Sequence, residues 1–509
     1  MTTGWDELLT QVHDLADVAA AAGLLDWDQQ TMMRPKGAES RAFQQGTLRA
    51  IHHERLTAPT LRAALERAER EGSGPPPFRG DTGVALLREV RRDIERAVKL
   101  PTSFVKELAE TTARAFESWQ RARADSSFAV FRDDLARVID LKRREAQFVG
   151  YAESPYDALL DEYEPGQTES MTAAVFDGLR RDTVQLLSEL RNSGVQPDPG
   201  VLVRHYDKQK QWNFGLAVLG AMGFDFDAGR QDYSAHPFTT SFSPTDVRVT
   251  TRVSEDDLRG GLFGTIHEGG HALYEQGIDL ALARTPLASS PSLGMHESQS
   301  RLWENAIGRS APFWRYWFPR LRVVFPEQLH DVGEDAFLRA INTVRPTFIR
   351  VEADEVTYNL HIILRFELET AVLNGRLQVD DLPEAWNAKM EEMLGITPRN
   401  AAEGVLQDVH WSYGSLGYFP TYSLGNLYFA QLLATLRSQF PDFDERIAGG
   451  DLLFVREWLR AQIHRFGRIY PAHELIRRLT GEPLNPKYFT RYLRMKYGEL
   501  YGLPNDQPD

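Results

Sequence analysis

Apolar residues recur every three or four positions along almost the whole of this chain. That period leaves room for little besides helices packed on helices. Between residues 5 and 25 the stripe is Leu8, Leu9, Val12, Leu15 and Val18, the spacing that places side chains on one face of an α-helix. The same period runs through 104–116, 128–149, 171–190, 352–373 and 452–466. Gly72-Ser73-Gly74-Pro75-Pro76-Pro77 and the run 194–200 interrupt it as loops, because Gly and Pro break helices. No internal repeat, low-complexity segment or linker stands out. The expectation is a single helical domain over residues 1–509, mainly α, in two lobes around a cleft. Its tail from Leu503 onward, rich in Pro and Asp, is expected to fray.

One stretch obeys a different period. From 236 to 253, Phe238, Thr240 and Phe242 alternate with polar neighbours, then comes the turn Ser243-Pro244-Thr245-Asp246, then Val247, Val249 and Thr251. Alternation rich in Thr and Val around such a turn predicts a β-hairpin. An edge strand beside a catalytic centre can align a peptide by taking it on as a further strand.

Immediately after the hairpin stands His267-Glu268-Gly269-Gly270-His271. On a helix, positions i and i+4 lie one above the other, so two imidazoles reach one metal ion while Glu268 projects beside them as a proton acceptor for water. With 13 histidines in 509 residues, this pattern arises by chance in roughly one such chain in forty. Two glycines in mid-helix cost about 1 kcal/mol each relative to Ala, so something is expected to approach their backbone closely. A catalytic zinc takes three protein ligands, and the sequence has no cysteine. Glu297, within Met295-His296-Glu297-Ser298-Gln299, is the choice for the third, completing a His₂Glu set suited to amide hydrolysis. His296 is the rival and Glu275 a weaker one. Glu304 falls on the same helical face as Glu297 and is placed to orient a ligand.

Six ordered motifs give the chain a wider identity. They are His236-Pro237-Phe238; Asp246-Val247-Arg248-Val249-Thr250; His267-Glu268-Gly269-Gly270-His271; His296-Glu297-Ser298-Gln299; Ile349-Arg350-Val351-Glu352-Ala353-Asp354; and Gly404-Val405-Leu406-Gln407-Asp408-Val409-His410-Trp411. With them the chain resembles the carboxypeptidase Taq family of zinc metallocarboxypeptidases. The resemblance implies a mostly helical fold with a deep active-site cleft, a small antiparallel β-sheet or hairpin at the cleft wall, and a homodimer. It implies a zinc-dependent carboxypeptidase that removes single residues from peptide C-termini. It implies His267, His271 and Glu297 as ligands, in a zinc-binding core spanning about 230–425. Co²⁺ or Mn²⁺ can substitute for Zn²⁺ in such a set.

Within that frame Glu268 is the expected general base. His410, Tyr418 and Tyr422, in or beside the aromatic-rich run 411–425, are the candidates for stabilising the oxyanion. An exopeptidase must also recognise a free α-carboxylate, for which Arg is best suited. Arg350 and Arg248 each lie in a motif and are the leading choices. Gln407 and His236 are candidates to hold the substrate backbone or a zinc ligand, and Asp354 to orient a ligand histidine.

The formal net charge of −14 repels phosphate backbones and argues against a nucleic-acid partner. Residues 1–7 carry neither a basic nor an apolar segment of a secretory leader. No uninterrupted apolar run reaches about 18 residues. The expected partners are peptides with a free C-terminus, with no membrane, and the expected location is the cytoplasm.

Overall fold

A capping box sets where the first helix begins. Thr3 Oγ1 accepts from Asp6 N and Asp6 Oδ2 accepts from Thr3 N, both at 3.1 Å, which satisfies amide groups the helix cannot. The computed structural model describes residues 3–504, so the part of the tail beyond Pro504 lies outside the described residues. The helix so opened, Gly4–Thr31, buries Trp5, Leu8, Val12, Leu15 and Trp27. By length and composition alone it is apolar enough to cross a membrane, with mean hydropathy 1.2 over 18 residues, 17% of that window being buried. Asp14 and Asp17 interrupt it, which is why no unbroken apolar run appears, and they pair with Arg55 and Arg284.

The other predicted helices form as Thr102–Ala124, Arg132–Val149, Glu169–Asn192, Tyr358–Leu373 and Leu453–Gln462. The segment predicted from 352 starts late. Asp354 accepts from the backbone of Arg345, Val356 and Thr357, and that turn holds the chain out of helix until Tyr358. Apolar side chains from Trp5 to Tyr501 join in one contiguous core. Tyr358–Leu373 and Pro420–Gln439 run through its middle and are buried on most faces. Asn359 Oδ1 ties them together by accepting from Ser423 Oγ at 2.8 Å and Asn426 Nδ2 at 2.9 Å.

The predicted hairpin is present as β2, Thr239–Ser243, antiparallel to β3, Asp246–Thr251. A third strand, β1, Gly229–Tyr233, adds parallel to β3, giving a mixed sheet of order β1-β3-β2. Val247 and Val249 are fully buried on one face. On the same face Thr251 Oγ1 meets Thr265 Oγ1 of the helix Leu258–Gly277 at 3.2 Å. On the opposite face Arg248 lies between Trp27 and Phe242, 4.3 and 5.0 Å from the ring centres. The sheet is thus held between the first helix and the helix that carries His267 and His271.

Candidate metal centre

Two glycines let the centre assemble. A Cβ on Gly270 would lie 2.7 Å from Gln299 O and Ser300 Cα, and one on Gly269 would lie 2.6 Å from Leu219 Cδ1. Only a bare backbone lets Leu258–Gly277 press against Leu293–Arg301, the helix that carries Glu297. Gly425 does the same from the far side, where a Cβ would lie 2.8 Å from Glu297 Cβ and Cγ. The close approach anticipated at the paired glycines is, at Gly270, the helix bearing the third donor and, at Gly269, the side chains of Leu219 and Met222.

The donors of His267, His271 and Glu297 lie within 4.8 Å of one another. Glu297 Oε2 is 3.3 Å from His271 Nε2 and 3.6 Å from His267 Nε2. His267 Nδ1 is 2.9 Å from Glu304 Oε2, a contact that fixes the proton on Nδ1 and leaves the Nε2 lone pair free. One carboxylate oxygen facing two imidazole nitrogens suits a shared divalent cation, and the donor set fits zinc. The rivals go elsewhere: His296 Nε2 pairs with Glu275 Oε1 at 2.9 Å, and the His296 ring stacks on His271 at 4.5 Å.

The charge states of His271 and Glu297 suit ligation; at His267 burial lowers the pKa, but Glu297 and Glu304 outweigh it and raise it, so a bound cation would displace a proton there. Burial, then the neighbouring His296, lowers His271 to about 3, so the ring is a neutral donor. Burial opposes ionisation of Glu297, but Arg301, His267 and His271 outweigh it and hold the carboxyl well below its usual range. Arg301 Nε donates to Glu297 Oε1 at 2.7 Å. Arg309 Nη2 donates to Glu304 Oε1 at 3.0 Å. Glu304 reaches His267 from a π-helical turn, Leu302–Ile307, that continues the Glu297 helix, a distortion common at functional sites. Arg301 was missed from the sequence; its spacing of one turn from both acids is the signal that points to it.

Glu268 is buried, which raises its carboxyl pKa. Its Oε2 accepts from Thr239 Oγ1 at 2.7 Å. Thr239 escaped the sequence because the alternating face singled out Phe238, Thr240 and Phe242, and Thr239 lies on the other.

His410, Tyr418 and Tyr422 cluster. The His410 and Tyr418 rings are 5.4 Å apart, as are those of Tyr418 and Tyr422. Burial lowers His410 to about 4. Burial raises both phenols, and the charge of Glu297 adds to the shift in each.

Arg350 is 6% exposed. Its Nε and Nη2 donate to Asp408 Oδ1 at 3.0 and 2.8 Å, and its Nη1 to Tyr358 Oη at 3.0 Å. It also lies 5.1 Å from the Tyr422 ring centre, so it adjoins the aromatic cluster while serving a buried ion pair. The same Asp408 accepts from Arg365 Nε at 2.7 Å. Gln407 is used internally: Oε1 accepts from Arg350 N and Arg365 Nη2, and Nε2 donates to Phe348 O and Glu403 O. Arg248 is bidentate to Asp246 at 2.9 and 3.0 Å and faces the first helix, on the side of the sheet away from His267. His236 is exposed in the loop before β2. Asp354 caps its own turn and reaches no ligand histidine.

Comparison with known proteins agrees with this geometry. The family described as carboxypeptidase Taq (M32) metallopeptidase matches residues 7–497. Thermostable carboxypeptidase 1 of Thermus thermophilus is 42% identical over 98% of this chain and 99% of its own length. Carboxypeptidase 1 of Bacillus subtilis is 39% identical over 98% of each chain. The crystal structure of the M32 carboxypeptidase from Deinococcus radiodurans R1 superposes with a TM-score of 0.94 at 39% identity, covering 98% of this chain and 99% of that one.

Proposed function

Since the chain belongs to the carboxypeptidase Taq (M32) metallopeptidase family, we propose that it removes single residues from peptide C-termini, with one zinc ion per chain and Glu268 as general base. The observation that carries this reading is the convergence of His267, His271 and Glu297 within 4.8 Å, with Glu268 between the two histidines on their helix. A zinc ion held there supplies a Lewis acid for the scissile carbonyl and for water.

The chain's own groups supply the rest. Burial makes the Glu268 carboxylate a stronger base than a free one, suited to take a proton from the attacking water and return it to the leaving amine. Its Oε2 is held by Thr239, so Oε1 is the oxygen that receives the proton. The oxyanion needs donors in place before reaction. Neutral His410 and the protonated phenols of Tyr418 and Tyr422 are such donors at neutral pH. Asp408 and Tyr358 leave Arg350 with further N–H groups on both Nη atoms, enough to grip a substrate α-carboxylate. Arg248, committed to Asp246, Trp27 and Phe242, serves the sheet, and Gln407 holds the Arg350 backbone in register. Peptides bind along the free edge of β2, near His236. The same reading makes the protein a cytoplasmic homodimer with no nucleic-acid or membrane partner, which sedimentation velocity and cell fractionation test.

Glu268→Gln is expected to keep full bound zinc and lose turnover. Metal analysis and peptide hydrolysis, run on protein stripped and then reloaded with equimolar Zn²⁺, check both. Turnover retained in Glu268→Gln removes the base role; activity that survives stripping removes the metal from the reaction.

A further inference from the structure

We propose that Thr239 is the positioning residue for the general base, so that one strand both aligns the peptide and holds the base; this rests on the carboxypeptidase reading above. Thr239 opens β2, and its Oγ1 lies 2.7 Å from Glu268 Oε2 and 2.9 Å from Glu268 O. Among the described residues no other protein donor reaches the Glu268 carboxylate. A glutamate side chain turns about several bonds, and a buried carboxylate without a partner is costly. The hydroxyl has one proton, which the shorter contact directs to Oε2 with the Glu268 carbonyl as the second, weaker acceptor; it anchors one carboxylate oxygen and leaves Oε1 for the reaction.

The strand adds a second role. β2 pairs only with β3, so its outer edge has no strand partner among the described residues. Thr239 stands opposite Val249, which is fully buried against the His267 helix, and this pair seats the strand on that helix. Because side chains alternate along a strand, the Thr239 hydroxyl points at Glu268 while the backbone edge is offered to an extended peptide.

Thr239→Val keeps the shape and removes the hydroxyl; Thr239→Ser keeps the hydroxyl and removes the methyl. Both are compared with the wild type on one free-acid peptide. For each protein kcat, KM, bound zinc and the melting temperatures of metal-stripped and metal-loaded forms are measured. Thr239→Val is expected to lower kcat about ten- to a hundredfold, the worth of a hydrogen bond to a charged group. KM is expected to stay within about twofold, with bound zinc and both melting temperatures unchanged, and Thr239→Ser to recover most of the loss. Wild-type kcat in Thr239→Val overturns the proposal, as does equal loss in both variants or a loss seen in KM or bound zinc in place of kcat. If Thr239→Val does not fold, Thr239→Ala against Thr239→Ser applies the same criteria. A wild type that leaves the free-acid peptide intact overturns the underlying reading instead, and the parallel assay separates that outcome from the others.

Discussion

Gly270 has no side chain because the backbone of Gln299 and Ser300 lies where one would be. Adding a methyl group there forces the His271 and Glu297 helices apart. Gly270→Ala is expected to cost about 1–3 kcal/mol, the usual range for overpacking a rigid contact, and to weaken zinc binding as well. Urea unfolding and metal titration check the two effects, and a loss of stability without a loss of affinity would mean the helices yield elsewhere. Glu297→Ala removes the carboxylate that faces both imidazoles and is expected to lose the metal with little change in helix content. Full zinc occupancy in that variant would move the third ligand to another group, with His296 the nearest alternative on the same helix. Arg350→Ala is expected to raise KM or lower kcat for free-acid peptides. Kinetics equal to wild type would leave Arg350 only its ion pair with Asp408.

At the scale of elements, the Glu297 helix does not end where its π turn begins. Asn305 O accepts from Lys496 Nζ at 3.0 Å, and Lys496 also donates to Glu355 Oε2 at 2.7 Å. Lys496 lies on the last helix, Lys487–Tyr501, so the chain's end staples the turn that aims Glu304 at His267. Lys496→Met leaves Glu355 as a buried carboxylate without its cation, a change that costs about 3–5 kcal/mol. Chemical unfolding checks it, and a cost under about 1 kcal/mol would show the staple to be dispensable. Local elements of this kind differ in how much of them the sequence discloses. The long helices and the hairpin were legible because a period of three to four, or of two, is written in consecutive residues. β1 was not, since Gly229-Arg230-Gln231-Asp232-Tyr233 has no apolar alternation and its parallel pairing with β3 is a tertiary choice. At the centre, His267, Glu268 and His271 were legible from one helical turn. Thr239, Asp408 and Arg365 come from separate elements and acquire their roles only when those elements meet.

Across the whole molecule, buried histidines make stability depend on pH. His464 is fully buried, with Nε2 2.9 Å from Gln299 Oε1, and burial, then His296, lowers it to about 3. Between that value and its ordinary 6.5 the unfolded chain binds a proton that the folded one does not. Stability therefore rises with pH across the window and is lost as pH falls from about 6.5 toward about 3, by several kcal/mol in the limit. Thermal melting of the metal-stripped protein against pH checks the slope. His464→Gln is expected to flatten it, and an unchanged slope would assign the effect to other groups. Metal acts on the same balance: zinc at about a hundred times its dissociation constant adds roughly 2.7 kcal/mol to the folded state, so stripping it lowers the melting temperature. The account as a whole turns on what the assembled protein does to a peptide end. One defined peptide, prepared as the free acid and as the C-terminal amide, is incubated with the zinc-loaded protein with and without chelator, and the products are read by mass spectrometry. Stepwise loss of single C-terminal residues from the acid alone, abolished by chelator, is the predicted result; internal or dipeptide cuts in both peptides, or cleavage that the chelator leaves untouched, would contradict it.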